Sequence, residues 1–166
     1  MYSQKSILKM QRRQNHVKKR AEREQFNKKK EKYFGNEQNK FTQVDSLTFQ
    51  EAKLRLQQKT KSYNIQINNV NFGNPQGLKH FVAKSVLAYT LINKEQHCST
   101  EVLDCDCYWI ERDFGIEIEK DLTQQKYYEK YKKFSKIFTD ILIFNLNEIP
   151  DDLIPMQKYF IKKLGV

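Results

Sequence analysis

Acidic side chains interrupt two short apolar runs in Asp104-Cys-Asp-Cys-Tyr-Trp-Ile-Glu-Arg-Asp-Phe-Gly-Ile-Glu-Ile-Glu-Lys120. The neighbouring residues are those of buried strands, and a carboxylate set among them needs a partner for its charge. Successive strand residues face opposite sides and residues two apart share one. Ile116 and Ile118 therefore point one way and Glu117 and Glu119 the other, while on the run before them Asp104 and Asp106 share a face opposite Cys105 and Cys107. If the cysteines and isoleucines face a helix-covered core, Asp106, Glu117 and Glu119 project together from the other side of a hairpin. Like charges crowded in this way repel unless one is protonated or a cation neutralises them. Oxygen-only ligands suit Mg²⁺ or Mn²⁺, with positions left for water and a phosphate oxygen. The competing reading is that this face lies in solvent and its acids are ordinary surface charges.

Zinc fits less well. His97, Cys98, Cys105 and Cys107 lie close in sequence, yet Cys-x-Cys on a strand sends both thiols to one face and the two-residue knuckle spacing is absent. The cysteines read as small buried apolar residues. Without an export signal they favour a reducing, cytoplasmic setting over a disulfide framework.

Other elements must hold the acids in place. Residues 46–62 predict a polar helix capped by Ser46, with Phe49, Lys53 and Leu56 at helical spacing, followed by an Asn-rich strand fragment and loop over 64–77. Leu78, Phe81, Val82, Val86, Tyr89 and Ile92 recur at helical intervals and predict a buried helix up to Lys94. Three short runs, 97–103, 106–111 and 116–120, predict a meander whose last turn, Arg112-Asp-Phe-Gly115, ends on glycine. A helix over 122–137 carries Tyr127, Tyr131, Phe134 and Phe138 on one face and Lys126, Lys130 and Lys133 on the next. Asp140–Leu146 lacks alternation, as a central strand covered on both faces does. A final helix starts near Asp151 or Asp152, with Pro155 tolerated in its first turn.

Charge divides the chain unevenly. Lys and Arg number 30 against 20 Asp and Glu, a formal charge of +10. Residues 1–45 hold thirteen of the bases and five of the acids, among them Arg12, Arg13, Lys18, Lys19 and Arg20. Few large apolar residues accompany them, so this stretch reads as a basic arm, helical or disordered, ahead of a helix and linker at 46–76 and an α/β core at 77–166. No run of 18 apolar residues occurs, and the arm lacks the apolar face of a membrane-lying helix. A polyanion, nucleic acid before membrane, is the expected partner, with affinity that falls as salt rises.

The order helix, three-stranded meander, helix, strand, together with Asp106 opening the second strand and Glu117-x-Glu119 on the third, resembles the PD-(D/E)xK phosphodiesterases, which include restriction endonucleases and archaeal Holliday-junction resolvases. The similarity covers roughly the C-terminal ninety residues and leaves the arm aside. Two positions depart from the family pattern: Cys105 stands where the motif proline would be, and Glu119 stands for its lysine, a replacement found in some restriction enzymes and archaeal viral nucleases. Lys120 follows directly but faces away from Glu117 by strand alternation. His80-Phe-Val-Ala-Lys84, Ser99-Thr-Glu101 and the Lys- and Tyr-rich second helix are similar to segments of compact viral or plasmid members.

The resemblance implies a restriction-endonuclease-like α/β fold and Mg²⁺-dependent cleavage of nucleic acid, DNA before RNA. Asp106 and Glu117 would bind the ion, Glu101 would be a further carboxylate, and Glu119 would orient or deprotonate the attacking water. Lys84, Lys126, Lys130 and Lys133 would contact phosphates, and a homodimer is an option that many relatives take. Two alternatives stand beside this one: a nuclease-like protein that binds nucleic acid without cutting it, and an unrelated small basic α/β binding protein.

Overall fold

A computed structural model describes residues 45–71 and 77–166 together with Lys18, Ala21 and Glu24. The chain divides into two units, Met1–Asn39 and Lys40–Val166. In the first, Lys18, Ala21 and Glu24 are helical and exposed, and Arg12, Arg13, Lys19 and Arg20 lie outside the described residues. The second is mixed α/β, with α1 (Phe49–Thr60), α2 (Leu78–Ile92), β1 (Cys98–Val102), β2 (Cys105–Trp109), β3 (Phe114–Glu119), α3 (Gln124–Phe134), β4 (Asp140–Asn145) and α4 (Leu153–Leu164) in that order. Among the described residues no helix is long and apolar enough to cross a membrane.

The strands form one sheet in the order β1-β2-β3-β4, antiparallel through the meander and parallel between β3 and β4, which α3 connects. β4 is therefore an edge strand, not the central one its unbroken apolar run suggests; helices cover both of its faces and bury Ile141, Leu142 and Ile143 alike. Cross-strand partners share a face, which sets Cys105, Cys107, Ile116, Ile118 and Phe144 on one side. Cys98 Sγ donates to the Ala88 carbonyl of α2 at 3.8 Å, and the Phe144 ring lies 5.5 Å from that of Phe160 on α4, so these two helices cover that side. On the other, Tyr108 packs on Phe138 at 5.3 Å and α3 buries Tyr127 and Phe134. The sheet lies between helical layers, and the acid-bearing face is as much a core face as the cysteine-bearing one.

Gly115 belongs to β3 and not to the turn. A Cβ there would stand 2.6 Å from the Phe138 ring and 2.8 Å from Ile141, so the glycine answers to close packing, while the left-handed turn conformation falls to Asp113 at φ 55°. Asp113 accepts hydrogen bonds from Lys59, Tyr108 and Thr139, which ties α1 and the start of β4 to the hairpin. Arg55 donates to the Ile110 and Glu111 carbonyls, and Ala52 and Leu56 are buried, so α1 is fastened to the sheet. Its cap is Thr48, in a capping box with Glu51, whereas Ser46 accepts a hydrogen bond from Gln96; Phe49 stays largely exposed. Beside β1, Asn68 and Asn69 exchange hydrogen bonds with Cys98 and Thr100, which satisfies the free edge of the sheet without a regular strand.

Helix α2 turns a different face inward from the one its largest apolar residues predict. His80, Ala83, Lys84, Leu87, Ala88 and Leu91 are buried, and Leu78 and Tyr89 are exposed. An apolar stripe runs nearly all round this helix, and two polar residues with carboxylate partners decide which side goes in.

Candidate active site

β2 begins where β3 ends, so their open ends lie together. One step beyond the Cys107–Ile116 pair, the register sets Asp106 opposite Glu117. Side chains take over from the backbone ladder here: the Asp106 amide donates to Glu117 Oε1 at 3.0 Å, and the Ile118 amide donates to Asp106 Oδ2 at 2.8 Å. Each carboxylate is thus held by an amide of the other strand, and neither can leave without exposing a backbone donor. On β1 the pairs Thr100–Cys107 and Val102–Cys105 set Glu101 abreast of Asp106, which completes a transverse row of three acids. Glu101 has a left-handed backbone, φ 56°, and its carboxylate is ion-paired with Lys84 of α2. Asp104 is not in the strand but in the β1–β2 turn, at φ 63° and exposed, where Lys133 approaches it at 3.4 Å.

Basic groups arrive from both helical layers. From α3, Lys130 Nζ donates to Glu117 Oε2 at 2.5 Å and lies 3.2 Å from Glu119 Oε2, with Lys126 3.7 Å from the other oxygen of Glu119. From α2, His80 Nε2 lies 3.2 Å from Asp106 Oδ2 and 3.0 Å from the Ile118 carbonyl. Glu117 is 2 % exposed and Glu119 8 % exposed, so the reading of these acids as solvated surface charges does not hold for this fold.

The environment separates the two central acids. Burial pushes the Glu117 carboxyl up, the negative charge of Asp106 adds to it, and the Lys130 ammonium offsets them only in part. At Asp106 burial acts in the same upward direction but is outweighed by hydrogen bonds from His80 and the Ile118 amide, and its carboxyl is held low. Burial lowers the affinity of Lys130 for its proton, yet Glu117 and Glu119 together push it up to about 12. The hydrogen bond to Asp106 raises His80 against the effect of burial, although its buried Nδ1 has no acceptor for a second proton among the described residues.

Of the three carboxylates, Glu117 and Glu119 share one inserted ammonium, Asp106 meets His80 instead, and Lys126 stands only at the rim. The surplus is negative and every donor is oxygen, which fits Mg²⁺ or Mn²⁺. Asp106 Oδ1 accepts no hydrogen bond among the described residues. Lys130 now stands against the Glu117 oxygen that an ion would want, and among the described residues no group of three His, Cys, Asp or Glu side chains is arranged to hold one.

The acids expected from strand alternation come together; the lysines expected on phosphate separate. Lys126 and Lys133 are about half exposed, Lys130 points inward between Glu117 and Glu119, and Lys84 is 1 % exposed with its ammonium on Glu101. Cys98, Cys105 and Cys107 are free and buried. Sequence reasoning missed His80, although a stripe through His80, Lys84, Leu87, Ala88 and Leu91 has the helical spacing that marks it. The chain matches no family model, no curated protein and no solved structure.

Proposed function

We propose that this protein is a Mg²⁺- or Mn²⁺-dependent nuclease that hydrolyses phosphodiester bonds in DNA, built on a restriction-endonuclease-like core. One observation carries this reading: Asp106 and Glu117 face each other across neighbouring strands in a buried setting, each pinned by the other strand's amide, with opposite pressures on their protons. Acids that cost this much to bury and are this firmly oriented belong to a functional site more often than to a scaffold. Support also comes from the order of helix, meander, crossover helix and parallel strand.

Asp106, through Oδ1, and Glu117 would hold the ion, which supplies charge neutralisation at the scissile phosphate and acidifies water beside it. Glu119, more open to solvent than Glu117 on the same face of β3, would orient that water and take its proton. Lys130 provides the positive charge that the motif lysine would otherwise bring from the strand, and a shift of its ammonium from Glu117 towards the substrate neutralises charge as it develops on phosphate oxygens. Lys126 and Lys133, each about one turn from Lys130 on α3 and half open to solvent, track the backbone on either side. The basic arm adds affinity without sequence information.

Mg²⁺-dependent cleavage of single-stranded, duplex and branched DNA is the test, with Glu117→Gln as control. Cleavage by the wild type and its loss in the variant are expected; no cutting of any substrate, or equal cutting by the variant, overturns the reading. The Lys130–Glu117 contact favours one alternative, a nuclease-like protein that binds DNA but in which lysine has taken the ion's place. Salt-sensitive DNA binding without cleavage, in the presence of Mn²⁺, would establish that alternative instead.

A further inference from the structure

We infer that His80 is the positioning residue of this site: from α2 it fixes Asp106 by one carboxylate oxygen so that the other stays turned towards the ion. The inference rests on the metal-dependent reading above and goes beyond it, because His80 belongs to neither the strand acids nor the lysine ridge.

The geometry is specific. His80 Nε2 faces two acceptors, Asp106 Oδ2 at 3.2 Å and the Ile118 carbonyl at 3.0 Å, so this nitrogen carries a proton whether the ring is neutral or charged. Asp106 Oδ2 also accepts the Ile118 amide at 2.8 Å. One imidazole and one peptide unit of β3 thereby fix the same oxygen and leave Oδ1 without a donor among the described residues. His80 is 3 % exposed, too enclosed to reach a phosphate or an attacking water. Packing does not account for it either, since its Nδ1 is buried with no hydrogen-bond partner among the described residues, a penalty that leucine would avoid. What histidine supplies and leucine lacks is the Nε2–H bond to Asp106. Carboxylates that ligate metals are themselves oriented by such outer partners, whose loss costs roughly 10- to 100-fold in metal affinity.

The test uses the full chain and Mn²⁺ alone, with free Mn²⁺ followed by electron paramagnetic resonance and folding by circular dichroism. His80→Leu removes the donor at similar volume, His80→Gln offers an amide N–H at about the reach of Nε2, and His80→Asn is too short. His80→Leu and His80→Asn are expected to weaken Mn²⁺ binding by roughly 10- to 100-fold while His80→Gln stays close to wild type. The Mn²⁺ concentration for half-maximal cleavage should rise in parallel, with KM for DNA unchanged. If the wild type binds Mn²⁺ and the folded His80→Leu protein binds it as tightly, the positioning role is wrong and the metal site stands. Should His80→Leu fail to fold, equal affinity in the Gln and Asn variants overturns the role in the same way. A wild type that binds no Mn²⁺ removes the metal-dependent reading itself, and this inference with it.

Discussion

Replacing Lys130 with methionine keeps most of the side-chain volume and removes the ammonium that Glu117 and Glu119 share. Two bounds set the cost. Seen from the lysine, the rise from 10.5 to about 12 corresponds to roughly 2 kcal/mol at 1.36 kcal/mol per pH unit, and partial exposure to solvent reduces this to about 1 kcal/mol. Seen from Glu117, 2 % exposed, loss of the partner of a buried charge costs about 3–5 kcal/mol. Glu117 escapes the upper figure by taking a proton, which its environment already favours, so a loss of about 2–3 kcal/mol near neutral pH is expected, or roughly 6–10 °C in Tm for a chain of this length. The sign of the pH dependence follows from the same shift. A carboxyl whose folded pKa lies above its ordinary 4.5 destabilises the fold above that pH and not below it; without the ammonium the shift grows, so the Lys130→Met deficit should be full at about pH 8 and shrink towards about pH 5. Mg²⁺ should raise the Tm of the variant more than that of the wild type, because ion and ammonium compete for the same Glu117 oxygen. Thermal unfolding at two pH values, with and without millimolar Mg²⁺, measures all three effects. A variant as stable as wild type at both, and indifferent to Mg²⁺, would show that Lys130 does not compensate these acids and would refute the reasoning.

Asp113 and Gly115 lead to two further outcomes. Asp113 binds Lys59, Tyr108 and Thr139; burial raises its carboxyl, but those three partners outweigh burial and hold it below its ordinary 3.8. Asp113→Ala should cost about 3 kcal/mol in urea unfolding, and because a depressed pKa gives stability that is lost as pH falls through it, the gap to wild type should close below about pH 3.8; a gap that stays constant into acid would disprove the account. Gly115→Ala drives a Cβ against Phe138 and should cost about 1–3 kcal/mol by overpacking, with DNA cleavage impaired through the displacement of α3; an alanine variant with wild-type stability would mean that the ring moves freely.

Period-two alternation was enough to group Asp106 with Glu117 and Glu119, because it depends on nothing but strand geometry. It could not place Glu101, whose left-handed backbone breaks the alternation and turns the side chain to Lys84. Element types were legible where apolar residues recur strongly, as in α2 and β4, but tertiary contacts settled what those patterns leave open. β4 reads as central because helices bury both its faces, and hydropathy does not distinguish that from having strands on both edges. The inward face of α2 was hidden for a related reason: hydropathy scores His80 and Lys84 as outward residues, and only the carboxylates of β1 and β2 make their burial favourable.

The lysine ridge of α3 shows how a packing detail sets the chemistry. Lys126, Lys130 and Lys133 are equivalent in sequence, and nothing in their spacing selects the one that meets the acids. The depth at which α3 sits on β3 does. Tyr127 and Phe134 bury one face of the helix, and Phe138, just past its end, closes to a distance from Gly115 that no other residue on the strand would allow. At that depth the middle lysine falls between Glu117 and Glu119, while the outer two stay at the surface within reach of a polyanion. Glu119 brings no positive charge from the strand, and a helix lysine supplies it only if the helix comes close enough. Gly115 meets that condition, which ties a glycine with no polar atom beyond its backbone to the electrostatics of the candidate site.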